Sequence, residues 1–423
     1  MRAGPALEVD RLLDDPRTRI IVCCGSGGVG KTTTAAALGL RAAERGRHVV
    51  VLTVDPARRL AQSMGLSSLD NTPRPVPGAA AETAGGSLHA MMLDMKRTFD
   101  EIVEAHSDPD RAAQILANPF YQSLSSSFAG TQEYMAMEKL GQLRRADDWD
   151  LIVVDTPPSR SALDFLDAPQ RLGRFLDGRL IRLLSAPTKA GGRAYLKFMT
   201  AGFTMVTGVI TKIIGVQMLR DVQTFIAAFD TMFGGFRERA EDTYRLLQAP
   251  GTAFLVIATP EPDALREASY FVDRLSSDQM PLAGLIVNRV HRSPAAHLSA
   301  ARSLAAAEVL QPVPGSGESP LDLAENGHGN DNGLPHPAAG SPELGGKPAA
   351  AATVSRHPLT ATALRLHAER MQLAERERRL EESFSAAHPV IPMAEVLAQP
   401  EDVHDLDGLR SVGKELARGV RLS

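Results

Sequence analysis

The glycine-rich segment GSGGVGKT, at Gly25–Thr32, constrains the fold of this chain more than any other feature. It follows a short apolar run, Ile20–Cys24, that predicts a buried strand. It precedes a stretch rich in Ala, Thr and Leu, Lys31–Arg45, that predicts a helix, and a second apolar run, His48–Val54, comes next. A strand, a loop, a helix and a strand in this order form one βαβ unit, which requires a parallel sheet.

The segment matches the pattern G-x-x-x-x-G-K-[ST] at every fixed position. Glycines let backbone N–H groups turn towards phosphate oxygens, and the helix that follows directs its positive dipole end at the same anions. The sequence therefore predicts a binding site for the phosphates of ATP. The residues expected to contact the nucleotide here are Gly25, Ser26, Gly27, Gly28, Val29, Gly30, Lys31, Thr32 and Thr33.

Three side chains are expected to hold the phosphates and a metal ion. Lys31 should reach the β- and γ-phosphates, and the Thr32 hydroxyl should coordinate Mg²⁺. Asp155 ends the apolar run Leu151–Val154, where a carboxylate can hold the Mg²⁺ shell, most simply through water. The alternative for Asp155 is that it only ends a strand.

Two further polar residues follow predicted strands. Asp55 comes after the run ending at Val54 and is a candidate general base that orients the attacking water, or else it starts a turn before Pro56. Asn288 carries an amide that suits the Watson–Crick edge of adenine, or else it caps a turn. Because ligands bind at the carboxyl ends of strands in parallel sheets, we expect these residues to lie at one edge.

The rest of the chain predicts more strands and several helices. Residues 254–258 and 285–287 are apolar runs typical of parallel strands, and Val390–Ile391 predicts a short last strand. Residues 95–143 predict helix, interrupted near Pro109 and Pro119. The pattern indicates an α/β fold: a P-loop NTPase with a mainly parallel sheet flanked by helices, plus a helical insertion subdomain.

We expect residues 1–310 to form an ATPase core with helical insertions at roughly 95–145 and 165–248. Residues 311–358 are rich in Gly, Pro, Ala, Asn and Asp and poor in large apolar side chains, so they should form a disordered linker. Residues 359–423 begin with a charged helix and should complete the core.

Charge and cysteine content exclude some functions. The chain has 423 residues and a net charge of -4, which argues against a dedicated nucleic-acid binder. Its two cysteines, Cys23 and Cys24, are adjacent, so we expect neither a bridge between them nor a zinc or iron–sulfur site built on cysteines. Two thiols without a disulfide framework suit a reducing cytosol, and residues 1–19 lack the apolar stretch of a secretory signal. We therefore expect a cytoplasmic protein.

Taken in order, the segments GSGGVGKTT, VDPARRLAQSMG, VVDTPPSRSALDFLDAPQRL and VNR resemble the ArsA-type anion-transporting ATPases of the MinD/ParA class. That family includes the ATPase that delivers tail-anchored membrane proteins. The resemblance covers about residues 18–300. It implies Asp55 as the general base of switch I, Asp155 with Thr156–Ser159 as switch II, and nucleotide-driven dimers in which two sites face each other.

The C-terminal segment IPMAEVLAQPEDVHDLDGLRSVG resembles the closing segment of the same family, which flanks adenine. The resemblance therefore implies that residues 391–393, with Pro392 at their centre, contact the base. The arsenite-binding cysteines and the zinc-bridging CxxC of some family members have no counterpart in this sequence. Arsenite export and a zinc-linked homodimer are accordingly not expected.

This chain departs from the family pattern at two points. The family reads G-K-G-G-x-G-K-T, with a first lysine that reaches the partner's ATP, and Ser26 stands at that position. A serine cannot supply this charge, so Arg58, Arg59 and Arg160 are candidates to replace it, unless each is simply solvated or ion-paired. Switch II of the family usually reads DTAPTGHT, whereas here it reads DTPPSRSA and lacks the glycine and the histidine.

An apolar stretch in the middle of the chain suits a surface for a client or partner protein and, equally well, a plain buried helix. Phe198–Thr211 has no charge, Lys212 interrupts the run, and Ile213–Leu219 continues it. The first run is too short to span a bilayer. In the resembling family this region lies in a helical insertion that holds clients, and an apolar groove rich in methionine can accommodate a hydrophobic protein client. The client surface and the buried helix are equally compatible with the sequence, and peripheral membrane contact is a third alternative.

Three functions are compatible with these features. The first is an ATPase whose ATP-dependent dimer closure reshapes a client or partner site. The second is a regulatory subunit that binds ATP and hydrolyses it slowly in a heterodimer with a lysine-bearing paralogue. Ser26 favours the heterodimer over a homodimer, and actinobacterial members of the family often resemble halves of such a pair. The third is a MinD- or ParA-like positioning factor, which would need a terminal membrane helix or a basic DNA-binding face.

Overall fold

The computed structural model describes most of the chain. The described residues are 5–55, 59–79, 85–119, 121–122, 132–157, 238–239, 241–310 and 358–418. They fall into two compact units. The first comprises Met1–Val290 together with Glu377–Ser423, and the second comprises His291–Arg376.

The first unit is built around an eight-stranded sheet. Its strands are β1 (Ile20–Gly25), β2 (His48–Thr53), β3 (Arg74–Pro75), β4 (Ser87–Met92), β5 (Leu151–Asp155), β6 (Thr252–Ala258), β7 (Leu282–Val290) and β8 (Met393–Leu397). Their spatial order is β3-β4-β2-β5-β1-β6-β7-β8, and every neighbouring pair is parallel except β3 with β4. All residues of β1, β5 and β6 are buried, as is typical of parallel strands covered by helices on both faces.

Ten helices have defined bounds in the described part of the chain. They are α1 (Val9–Asp14), α2 (Lys31–Glu44), α3 (Arg59–Ser63), α4 (Met95–His106), α5 (Pro109–Ala117), α6 (Gln132–Ala146), α7 (Pro262–Ser277), α8 (Ala300–Val309), α9 (Pro358–Ala387) and α10 (Leu406–Arg418). Helix α8 belongs to the second unit, and α9 contributes residues to both units. Among the described helices, none combines the length and the apolar character needed to cross a bilayer.

The structure confirms the predicted α/β class with a mainly parallel sheet. The apolar runs predicted as strands at residues 20–24, 48–54, 151–154, 254–258 and 285–287 correspond to β1, β2, β5, β6 and β7. The prediction of a last strand at Val390–Ile391 was wrong, since that strand is β8. Val390 is 78% exposed, and the Ile391 N–H donates to the His388 carbonyl in a turn, so these two residues precede the sheet.

The helical stretch predicted over residues 95–143 is present in three pieces, α4, α5 and α6. Asp108 caps α5 by accepting a hydrogen bond from the Arg111 N–H at 3.0 Å, and Pro109 is the first helical residue. Most of the second predicted insertion, 165–248, and nearly all of the predicted linker, 311–358, lie outside the described residues.

Helix α2 contacts the sheet on one side and α10 on another. A Cβ added to Gly39 would lie 2.5 Å from Val51 Cγ2, so the helix approaches β2 more closely than a side chain would allow. At α10, a Cβ added to Gly413 would lie 3.6 Å from the Ala37 carbonyl oxygen and from the Arg41 side chain, an ordinary contact distance. This packing fixes the helix whose first residue is Lys31.

Candidate nucleotide site at the carboxyl edge of the sheet

The loop between β1 and α2 requires glycine at two positions for steric reasons. Gly25 has φ 151° and Gly30 has φ 92°, both in the region that favours glycine. A Cβ on Gly25 would lie 2.1 Å from the Ile257 carbonyl oxygen, and one on Gly30 would lie 2.2 Å from Asn288 Nδ2. The glycines of the motif thus allow β6 and β7 to approach the loop.

Lys31 lies beneath this loop and is buried. Its ammonium donates hydrogen bonds to the Gly25 carbonyl at 3.0 Å and to the Ser26 carbonyl at 2.8 Å. Burial lowers the pKa of Lys31, and the charge of Asp155 is the strongest effect in the opposite direction. An ammonium has three N–H groups, so the loop carbonyls engage two of its three donors.

Asp155 ends β5 and is fully buried. Its Oδ2 accepts hydrogen bonds from the Thr32 and Thr53 hydroxyls, both at 2.8 Å. Its Oδ1 is buried and has no hydrogen-bond partner among the described residues. Burial raises the pKa of Asp155 to about 6, while the two threonine hydrogen bonds and the charge of Lys31 act to lower it.

This carboxylate suits a hard divalent cation. A buried carboxylate oxygen without a partner is costly, and a cation or its bound water would satisfy it. The Thr32 hydroxyl is 2.8 Å from the other oxygen of the same carboxylate. Oxygen ligands of this kind are those that Mg²⁺ prefers, so Thr32 and Asp155 fit the cation that the motif implies.

Asp55 follows β2 and is half-buried. Its backbone N–H donates to the Thr53 hydroxyl oxygen at 3.2 Å, and the same hydroxyl donates to Asp155. The negative charge of Asp55 raises the pKa of Lys31 and the pKa of Asp155, although burial has the largest effect on both groups. The structure therefore brings the two predicted carboxylates and the lysine together.

Thr53 is a residue that the sequence reasoning missed. It lies opposite Asp155 in the register of β2 and β5, and its hydroxyl links the two carboxylate-bearing segments. The sequence offers one sign of this role, a threonine at the end of an apolar strand and two residues before Asp55. It could be interpreted only once the pairing of β2 with β5 was known.

Asn288 lies near the end of β7 and is only 9% exposed. Its amide Nδ2 donates to the Val29 carbonyl at 2.8 Å. Asn288, which the sequence predicts to contact adenine, is therefore hydrogen-bonded to the phosphate loop. Residue Pro392 is placed elsewhere: its carbonyl accepts from the Leu285 N–H at the start of β8. Leu285 precedes Asn288 by three residues of β7, which is about 10 Å along the strand. Pro392 is hydrogen-bonded to Leu285 and therefore lies away from the carboxyl edge, where Asn288 is.

The remaining site predictions fall partly outside the described residues. Thr156, the first residue of the predicted switch II after Asp155, donates its hydroxyl to the Cys23 carbonyl at 2.8 Å. Arg59 is the first residue of α3 and is exposed. Arg58 and Arg160 lie outside the described residues, as does the segment 158–159 of switch II.

Comparison with known proteins gives a consistent set of relatives. The sequence model of the anion-transporting ATPase family matches residues 18–311. The chain is 24% identical over 286 residues to ATPase GET3 of Ajellomyces dermatitidis, covering 67% of this chain and 76% of that protein. It is 25% identical over 266 residues to the ATPase ASNA1 homolog of Cryptosporidium parvum, covering 63% of each chain.

A third relative matches more closely over a shorter span. ATPase GET3 of Malassezia globosa is 29% identical over 170 residues, which are 40% of this chain and 47% of that protein. This chain therefore spans just under half of the Malassezia protein. The family match covers well over half of this chain and includes β1, α2, β2, β5, β6 and β7. It confirms the resemblance inferred from the motifs, and the chain belongs to the anion-transporting ATPase family.

Proposed function

We propose that this chain is a magnesium-dependent ATPase whose site lies at the carboxyl ends of β1, β2 and β5. The observation that carries the proposal is the buried Asp155 carboxylate. One of its oxygens accepts from Thr32 and Thr53, and the other has no partner among the described residues. Such an oxygen, beside a hydroxyl and a phosphate-binding loop, suits Mg²⁺ that is bound together with ATP.

In the proposed mechanism, the chain acts by positioning and electrostatics. Lys31 and the loop N–H groups donate to the phosphate oxygens. Thr32 and Asp155 would hold Mg²⁺, which neutralises charge on the β- and γ-phosphates when bound. Asp55 accepts a hydrogen bond from the attacking water and orients it towards the γ-phosphate.

The test of this mechanism compares ATP binding and turnover in three variants of the full chain. Asp55→Asn should lower turnover about 10²- to 10⁴-fold while ATP affinity changes little, because a general base acts on the chemical step. Lys31→Ala should weaken ATP binding as well. Asp263→Asn, on an exposed surface of α7, is the matched control and should behave as the unmodified chain. Unchanged hydrolysis in Asp55→Asn would refute the assignment of Asp55.

For adenine, the proposed contacts are Asn288 and the chain just beyond β8. Leu397 is the carboxyl end of that strand, and the Ala398 N–H donates to the Val290 carbonyl at 2.9 Å. Residues after Leu397 are therefore nearer the loop edge of the sheet than Pro392 is. Ala398→Trp should weaken ATP binding more than Pro392→Ala does, and the opposite ranking would favour Pro392 as the adenine contact.

The coupling of this site to a dimer and a client is also proposed. Membership of the family supports ATP-dependent closure of a dimer with facing sites, acting on a hydrophobic protein client in the cytoplasm. Light scattering with ATP and with ADP should show a larger species only with ATP. An identical mass in both states would contradict nucleotide-driven dimerisation.

A second candidate function rests on Ser26. Because serine cannot supply the charge of the family's first lysine, the chain is alternatively a regulatory subunit that binds ATP and needs a lysine-bearing paralogue for rapid turnover. Turnover of the lone chain should then be slow and should rise when the paralogue is added. Rapid turnover by the lone chain would exclude the regulatory-subunit hypothesis. Arg58, Arg59 and Arg160 would then be the candidates to supply the missing positive charge.

A further inference from the structure

We propose that Asn288 is a positioning residue for the phosphate loop: its amide, presented by a bulge in β7, fixes the backbone around Val29 and Gly30. The inference rests on the proposed function in one respect, namely that this loop binds phosphate. It concerns the shape of the loop, whereas the predicted role of Asn288 concerned recognition of the base.

The first observation is a buried hydrogen bond between two distant parts of the chain. Asn288 Nδ2 donates to the Val29 carbonyl at 2.8 Å, and the two residues are 9% and 2% exposed. Removing the amide would leave a buried carbonyl without this donor, which proteins tolerate poorly. The orientation of the Val29–Gly30 peptide, one residue before Lys31, therefore depends on a side chain of β7.

The second observation is steric. A Cβ on Gly30 would lie 2.2 Å from Asn288 Nδ2, so the amide occupies the space beside the last glycine of the motif. Gly30 has φ 92° and immediately precedes the first residue of α2. One amide thus contacts two consecutive loop residues, by a hydrogen bond to one and by close packing on the other.

The third observation is the bulge that presents this amide. Val287 pairs with Glu395, and Val290 pairs with Leu397, so two residues of β7 lie opposite one residue of β8. Within the bulge Arg289 has φ 62°, which is uncommon for a residue with a side chain. Bulges of this kind re-aim side chains next to functional sites, and regular pairing on both sides holds this one in place.

Holding the loop and contacting adenine are compatible roles, because an amide nitrogen carries two hydrogens. They differ in one measurable respect. A residue that only contacts the base has no effect on a ligand without a base. A residue that shapes the loop affects every ligand whose phosphates the loop binds.

The main experiment therefore uses magnesium tripolyphosphate, which has the phosphates of ATP and no base. Calorimetric titration of the full chain should show that Asn288→Ala and Asn288→Leu each weaken tripolyphosphate binding about tenfold, the loss of one buried hydrogen bond. Asn288→Leu keeps the approximate size of the side chain, adds no charge beside the phosphates and removes the donor. Gln248→Ala is the matched control, because Gln248 also donates a side-chain amide to a backbone carbonyl, that of Asp278, away from the loop.

The outcomes separate this inference from the proposed function. If the unmodified chain binds tripolyphosphate and Lys31→Ala abolishes binding, the loop is a phosphate site. Tripolyphosphate affinity within twofold of the unmodified chain in both Asn288 variants would then overturn the positioning role alone. If Lys31→Ala binds tripolyphosphate as the unmodified chain does, the phosphate site itself is refuted.

A double-mutant cycle tests the steric contact without any ligand. Gly30→Ala should shift the urea midpoint strongly in the unmodified chain, because its methyl group meets Asn288 and because φ 92° strains any side chain. In an Asn288→Ala background the backbone strain remains and the clash is gone, so the shift should be clearly smaller. Equal shifts in the two backgrounds would contradict the contact.

Discussion

Burial of the Asp155 carboxylate has a free-energy cost that a bound cation would lower. The carboxylate is fully buried, accepts two threonine hydrogen bonds through Oδ2, and leaves Oδ1 without a described partner. Burial raises its pKa to about 6, above the ordinary 3.8 of aspartate. The folded chain therefore binds this proton more tightly than the unfolded chain does, and ionisation of Asp155 at neutral pH opposes folding.

The first prediction concerns pH. Because the folded pKa is raised, the contribution of Asp155 to stability falls as pH increases from about 4 to about 6 and is constant above, a change of roughly 1–3 kcal/mol. Relative to the unmodified chain, Asp155→Asn should gain stability across that window. Urea unfolding at several pH values, without nucleotide or Mg²⁺, measures the difference. A difference that stays flat across this window for Asp155→Asn would be incompatible with the raised pKa.

Arg47 is a residue of structural importance that no motif marks. Its guanidinium donates to four backbone carbonyls, those of Leu13, Asp15, Thr18 and Asp150, at 2.9, 3.4, 2.6 and 2.6 Å. Burial lowers its pKa, and the charge of Asp150 acts in the opposite direction. The side chain therefore joins the turn before β2 to the segments that lead into β1 and β5.

The second prediction follows from that geometry. Arg47→Lys keeps the charge and loses the planar fork, so most of these carbonyls lose their donor and stability should fall by about 1–3 kcal/mol. Arg45→Lys is the control, because Arg45 pairs with Asp14 near the surface and an exposed pair contributes little. Chemical denaturation compares the two variants. Equal stabilities would show that Arg47 is dispensable.

At the scale of single residues, contacts within one motif can be predicted from the sequence, whereas contacts between distant segments cannot. The contacts of Lys31 with the Gly25 and Ser26 carbonyls lie within a local motif, because eight consecutive residues build that loop. Thr53 and Arg47 act through neighbours more than 30 residues away in most of their contacts, so only strand register reveals them. Pro392 was predicted to contact adenine because its segment resembles the closing segment of the family. In the structure Pro392 precedes β8, so the length of that strand lies between it and the carboxyl edge of the sheet.

Elements were easier to predict than contacts because buried parallel strands are short apolar runs. Strands β1, β5 and β6 are buried at every position, so the sequence contains no alternation that could suggest another class. Strand β8 was harder to place. It is one of the two edge strands, its burial is mixed, and its more polar sequence MAEVL gives a weaker signal than the run VIP before it.

The third prediction compares two helical glycines. In general, replacing a helix glycine by alanine is stabilising by about 0.5–1 kcal/mol where space allows. At Gly413 the new Cβ would make ordinary contacts of 3.6 Å, so Gly413→Ala should stabilise the chain. At Gly39 it would lie 2.5 Å from Val51 Cγ2, so Gly39→Ala should destabilise by about 1–3 kcal/mol through overpacking. Thermal unfolding of both variants gives the signs, and a shared sign would contradict the packing of α2.

The ends of the described chain meet in the sheet of the first unit. Strand β8 follows β7 by about 100 residues and nevertheless pairs with it in parallel. Near the N-terminus, the Leu7 N–H donates to the Met393 carbonyl at 2.8 Å, and the Met393 N–H donates to the Pro5 carbonyl at 2.9 Å. Helix α10 adds the Arg410–Glu44 ion pair at 2.6 Å, where it packs on α2. The C-terminal segment is therefore part of the core that supports the phosphate loop.

This arrangement predicts that the covalent connection between β7 and β8 is unnecessary once the chain has folded. Cleavage at a protease site placed within residues 311–357, a stretch whose composition predicts a linker, should leave two fragments that co-elute at micromolar concentration and still bind ATP. The β7–β8 ladder and the buried face of α10, including Leu409 and Leu416, would hold them together.

The control variant is cleaved at the same site but carries an altered interface between β8 and its neighbours. Val396→Asp places a charge at a fully buried position of β8, so the cleaved fragments of that variant should separate while the uncut variant is only destabilised. Size-exclusion chromatography with ATP titration reports both properties. Separation of the unmodified fragments would mean that the ladder and α10 bind too weakly to hold the C-terminal segment. In that case the bulge that presents Asn288 would depend on chain connectivity as well as on strand pairing.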